Sequence, residues 1–180
     1  MSLSPITSLD LGGAEIAAYA KDHAISLVIT GGSKLALVDM ADPGKAVKIK
    51  DISLDGDAQS VDVYGDLVAV AVAGSNSRTD RGHISFFRIT GNGGSAELTS
   101  AGKVTVGYLP DSLKFNGDGT KLVVANEGEP NETNTVNPAG SISVLTINKA
   151  TPANSGHEEL FFDAAQTDYL KARGIRISQG

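Results

Sequence analysis

The side chains best suited to chemistry are carboxylates set at or beside turns: Asp55, Asp57, Asp80, Asp111, Glu127, Glu129 and Glu132. Asn126 and Asn131 add amide oxygens to the same stretches. An oxygen-rich set of this kind suits Ca²⁺, which takes roughly six to eight oxygen ligands. Asp111, Glu127 and Glu129 are the leading metal candidates. The competing reading is a solvated acidic rim, and hydrolytic chemistry is a third. The run Asn126-Glu127-Gly128-Glu129 matches no all-protein calcium loop. Asp111 has two readings of its own. It can accept backbone N–H bonds from a neighbouring turn, or serve as a ligand or acid–base group at a channel mouth. Arg78 and Arg81 flank Asp80. They suit bidentate capture of a phosphate ester or carboxylate, against the plainer reading of a polar loop with local ion pairs. The candidate binding set is therefore Asp57, Arg78, Arg81, Asp111, Asn126, Glu127 and Glu129. His23, His83 and His157 lie far apart in sequence and at different repeat positions, which argues against a zinc site or a His-based triad. Gly74-Ser75-Asn76-Ser77 precedes no helix, so it does not read as a phosphate loop.

Composition narrows the class. The chain has 180 residues and a formal net charge of −6. An acidic balance without a basic cluster argues against nucleic acid as a partner. No apolar run approaches the ~18 residues that a membrane span needs. The absence of cysteine removes disulfides, thiolate zinc sites and a cysteine nucleophile. No basic stretch followed by an apolar run opens the chain, so no leader is read here. Met1-Ser2-Leu3 reads as a start added to the native sequence.

The elements that would position these residues repeat. Leu113-Lys114-Phe115 alternates, and Leu122-Val123-Val124-Ala125 is a continuous apolar run expected to be covered on both faces. Asn116-Gly117-Asp118-Gly119 between them supplies the positive-φ positions of a tight hairpin. That turn accounts for its residues better than a calcium loop does. Earlier in the chain, strands are predicted at 14–19, 25–30, 34–39 and 47–54, then at 60–64, 67–73, 83–89 and 97–106. A third unit begins with the hairpin and continues through 140–147, with His157 expected just before an outer strand. Ile16, Val61 and Leu113 occupy equivalent places, 45 and 52 residues apart. Four strands in roughly 40–50 residues is the pattern of a β-propeller blade. The expected architecture is all-β, with four-stranded antiparallel blades at about 14–54, 57–106 and 109–163. Residues 7–13 read as an orphan fourth strand, and 161–173 as a short helix. One domain spans 4–180, read as the N-terminal part of a larger propeller. Its partners would be the remaining blades, or a second copy covering the open sheets.

Three segments, GGAEIAAY, SVDVYGDLVAVAVAG and GYLPDSLKFNGDGTKLVVANEGEPN, followed by NPAGSISVLTI, resemble the choice-of-anchor I family. The resemblance covers about 4–180, and LPDSLKF and VVANEGEP are its most specific parts. It implies a bacterial propeller that is secreted, periplasmic or on the cell surface. Some members carry alkaline phosphatase or phytase-like labels.

Three functions stay open on this reading. The first is a binding module for a surface polymer or protein, with Ca²⁺ on its acidic face. The second is part of a metal-dependent phosphoric-ester hydrolase, whose two-metal site these blades lack the His and Asp density to build. The third is a scaffold within a larger surface protein. Whether the chain is catalytic is left open.

Overall fold

The structure is a computed structural model and describes residues 4–162 and 164–175. Three four-stranded antiparallel sheets account for its strands, each in simple sequential order. The first blade comprises β1 (Ile16–Ala20), β2 (Ile25–Ile29), β3 (Lys34–Asp39) and β4 (Val47–Ser53). The second comprises β5 (Ala58–Tyr64), β6 (Leu67–Val72), β7 (Arg81–Thr90) and β8 (Glu97–Tyr108). The third comprises β9 (Pro110–Phe115), β10 (Lys121–Asn126), β11 (Ser141–Thr146) and β12 (Gly156–Leu160). The first strands are spatial neighbours, β1 beside β5 and β5 beside β9. Sheets that fan out from adjacent inner strands are the blades of a β-propeller. The short helix α1 (Ala164–Ala172) follows.

Apolar side chains fill the two seams between blades. In the first seam Leu27, Ile29, Leu35 and Leu37 meet Val61, Val68, Val70 and Val72. In the second, Leu67, Ala69, Ile84 and Phe86 meet Leu113, Phe115, Leu122 and Leu145. Each such Val, Leu, Ile or Phe side chain contributes about 1.5–3 kcal/mol when fully buried. The middle blade is covered on both faces, and every residue of β6 is buried. Strand β10 was expected to be covered in the same way and is not. Its exposure alternates along the strand, and Val123 is 44% exposed. One face of β10 packs on the second blade, while the other meets no sheet among the described residues.

Two other expectations shift. His157 lies within β12 rather than before it. Residues 4–15 form no strand. Leu11 instead packs on Val28, Ala36 and Val38, on the outer face of the first blade.

Polar contacts lock the inner strands together where no ladder joins them. The Asp62 carboxylate of β5 accepts from the Phe115 backbone N–H at 2.8 Å and from Lys114 Nζ at 2.7 Å. Ser60 Oγ accepts from Leu113 N–H. At the far end of the blades, the turn at Asn116–Gly119 tucks beneath the Tyr64 ring.

Candidate functional site

Antiparallel strands in sequence order send the β2–β3 and β6–β7 loops, the β10–β11 loop and the linkers between blades to one end. All of the predicted site residues except Arg81, Asp111 and Asn126, which stand at strand termini or beside them, come from these segments. The structure divides this loop face into three regions.

The first region is the linker after the first blade. Asp57 accepts from Ser33 Oγ at 3.3 Å, and its carbonyl receives the Ala73 N–H. Asp55 is held between His83 Nε2, at 3.1 Å, and Lys103 Nζ. The Lys103 hydrogen bond holds the Asp55 carboxyl below its ordinary pKa against partial burial. Burial pushes His83 down despite the nearby carboxylate. Asp55 therefore straps the linker to the second blade.

The second region lies at the start of β9. Leu109 adopts φ 49°, an uncommon conformation for a branched side chain. The ladder between β9 and β10 then shifts register: Asn126 pairs with Pro110 and Ala125 with Ser112, leaving Asp111 as the bulged residue. A bulge of this kind redirects one side chain away from the regular alternation. The same irregularity occurs in the second blade, where Ala58 pairs with Val72 and Ser60 with Ala71, leaving Gln59 unpaired. Asp111 and Gln59 are thus equivalent, each at the head of an inner strand. Glu127 lies close to Asp111. Partial burial, then repulsion from Asp111 and Glu129, raises its pKa above the ordinary carboxylate value. Glu127 feels both other carboxylates, yet among the described residues no group of three His, Cys, Asp or Glu side chains gathers closely enough to hold a metal ion.

The third region is a polar cleft of about 550 Å³ between the β6–β7 and β10–β11 loops. Asn76, Ser77 and Arg78 line one wall, and Asn131, Glu132 and Thr133 the other. Each wall is braced from within. Asn76 Oδ1 accepts from Arg78 N–H, and Asp80 accepts from Asn76 N–H. Asn131 Oδ1 accepts from the N–H groups of Thr135 and Val136. Gly128, at φ 63°, presses against the backbone of Pro138 to Gly140, where a Cβ would collide. Arg78 Nε reaches across to Glu129 at 3.4 Å.

Two predicted members do not join this surface. Arg81 begins β7, where it pairs with Glu159 of β12 and lies 5.4 Å from the Tyr108 ring centroid. The expected Arg78–Arg81 anion clamp is therefore not assembled, since each guanidinium faces its own glutamate. Asn126 is buried in the seam between the second and third blades. Its Nδ2 donates to Ser141 Oγ and Ser143 Oγ, both at 3.0 Å. Ser141 donates to Glu159 at 2.6 Å, and His157 Nε2 lies 2.9 Å from Ser143 Oγ. Burial works against the Glu159 charge, but Ser141 and Arg81 overcome it and its pKa falls. Gly107 makes room for this network, because a Cβ there would meet the Asn126 carboxamide.

Sequence reasoning missed the seam network, the Asp55 strap and the Ser77 wall. Gln59 could have been found by aligning Ala58-Gln59-Ser60 with Pro110-Asp111-Ser112.

The chain is 29% identical over 144 residues to the mesenchyme-specific cell surface glycoprotein of Strongylocentrotus purpuratus, covering 78% of this chain and 18% of that protein. A proposed 6-phosphogluconolactonase from Bacteroides uniformis superimposes with a TM-score of 0.61 at 16% identity, over 81% of this chain and 39% of the other. A proposed enzyme of the same name from Bacteroides fragilis gives 0.61 at 17% identity, over 81% and 38%. The chain thus spans less than half of each of these relatives, and the structural likeness concerns the fold alone. The choice-of-anchor I domain profile matches residues 15–180, and the chain belongs to that family.

Proposed function

We propose that this chain is part of a cell-surface propeller that binds a partner or polymer through its loop face. The observation that carries this is the braced polar cleft bridged by Arg78 and Glu129, in a chain related to a cell-surface glycoprotein. Loops held on a rigid sheet scaffold are where binding residues concentrate. No helix among the described residues is long and apolar enough to cross a membrane. The outer faces of the first and third blades are read as covered by further blades or a second copy.

Ca²⁺ is a subsidiary part of this proposal. Asp111 and Glu129 both repel the Glu127 carboxylate, and a cation would relieve that. The spacing of the three requires additional oxygens from water or from other residues. An ester hydrolase would have to draw its metal ligands from outside the described residues, and no observation here favours it.

The test uses the full-length protein on intact cells. Protease accessibility and antibody labelling should place the domain outside the cell. Arg78→Ala with Glu129→Ala should weaken retention on the cell-surface polymer fraction at least tenfold, with melting unchanged. An intracellular, protease-protected domain overturns the reading.

A further inference from the structure

The cleft between the β6–β7 and β10–β11 loops contains polar side chains of two kinds. Those that brace the loops are already engaged: Asn76 Oδ1, both ends of the Asn131 carboxamide, and Thr133 Oγ1, which lies 2.9 Å from Thr135 Oγ1. Ser77 and Glu132 face each other across the cleft, and neither forms a side-chain hydrogen bond or ion pair among the described residues. Arg78 touches Glu129 through Nε. A hydroxyl that both donates and accepts and a carboxylate acceptor thus stand on braced walls without a partner among the described residues, beside a guanidinium whose Nε alone is engaged.

Three features restrict the ligand. No aliphatic or aromatic side chain lines the cleft, so it offers no apolar pocket for a lipid or for the anchor residue of a peptide. The surrounding face carries Asp80, Asp111, Glu127, Glu129 and Glu132 against Arg78 and Arg81, and Arg81 is turned away to Glu159. That excess of negative charge disfavours phosphate, sulfate and uronate groups. The cleft is open to solvent and, at about 550 Å³, large enough for more than a single small group. We infer that it is a subsite for a neutral, polyhydroxylated ligand, a segment of uncharged glycan. Adjacent ring hydroxyls would be met by Ser77, Glu132 and the outer edge of Arg78. Each hydrogen bond exchanges with water and yields little net energy, so affinity falls on the order of millimolar for a short oligosaccharide.

The inference rests on the surface-binding reading but is tested separately. The full-length protein is titrated with neutral tetrasaccharides of glucose, mannose and galactose and with tetragalacturonate, observed by saturation-transfer NMR. At least one neutral tetrasaccharide should bind, and tetragalacturonate should bind more weakly. Ser77→Ala with Glu132→Ala should reduce neutral binding at least tenfold without changing the melting temperature, since neither side chain has an internal bond to lose. The inference is overturned if no neutral tetrasaccharide binds, if tetragalacturonate binds as well or better, or if the double variant binds unchanged. Loss of sugar binding with surface exposure and polymer retention intact would remove this subsite alone. An intracellular location would remove the wider reading.

Discussion

At the scale of single residues, two carboxylates illustrate opposite uses of charge. The Asp62 side chain is 8% exposed and receives both a buried backbone N–H and the Lys114 ammonium. Removing it strands the Phe115 N–H in the core, which costs about 1–3 kcal/mol. Asp62→Ala should therefore lower the melting temperature by about 2–4 °C per kcal/mol lost. Asp62→Asn keeps an acceptor and should cost less. Equal losses from the two variants would show that the backbone bond is not the source. Glu127 has the reverse character. Its folded pKa lies above its ordinary value, so its ionised form disfavours the folded state, and the protein regains that stability as pH falls through the raised pKa. Glu127→Gln should melt slightly higher than the parent at pH 7. The gain should fade as pH drops through the raised pKa and be lost at about pH 3, well below the ordinary Glu value of about 4.3, where the carboxyl is protonated in both states. A gain independent of pH would point to packing instead.

At the scale of elements, the strands were legible because their periodicity has a physical cause. Lys34–Asp39 was read to the residue, since one face of that strand packs into a seam and both its ends meet turns. The expectation for Leu122–Ala125 failed for an instructive reason. Its composition is as apolar as Leu67–Val72, yet coverage of the second face depends on a neighbouring sheet, which no local pattern encodes. The bulge at Asp111 was equally hidden. It depends on a register shift opposite Ala125 and Asn126, and a register is a property of two strands. Asn126 was read as a ligand because amides suit oxygen sites, but pairing with Pro110 places it in the seam. The hairpin turn at Asn116–Gly119 was legible from composition alone, and it yields a test. Gly119 has φ 66°, and an added Cβ would run into the Tyr64 ring. Gly119→Ala should cost about 1–3 kcal/mol, read by denaturant titration. Gly117→Ala has open space around its Cβ position and should cost less. Equal costs would mean that Tyr64 does not press on the turn.

At the scale of the whole molecule, the blades differ in how they meet solvent. The middle blade has a neighbour on each side. The first blade has its outer face partly covered by Leu11, Met40 and Ala46. The third leaves Val123 44% exposed, with Leu160, Phe161 and Phe162 at 54, 52 and 62%, and Ile142 and Val144 half-buried beside them. These residues lie on or beside the sheet face of β10 and β11 that points away from the second blade. A contiguous apolar surface of this kind favours association. The 180-residue chain, produced by itself, should therefore self-associate as its concentration rises, as seen by analytical ultracentrifugation. Val123→Asp places a charge on that face without entering either seam, because Val123 points away from the second blade. It should shift the equilibrium toward monomer at least tenfold, about 1.4 kcal/mol, while leaving the melting temperature of the monomer within a degree or two. Tyr19→Asp, on the first blade, serves as the comparison: its ring is 54% exposed but stands apart from the third-blade surface. If Tyr19→Asp disrupts assembly as strongly as Val123→Asp, the contact joins the first blade of one copy to the third blade of another, a head-to-tail arrangement that can close into a ring or extend. If Val123→Asp alone acts, the third-blade faces meet each other in an isologous pair. A chain that stays monomeric at high concentration would show that this face is adequately solvated without a partner.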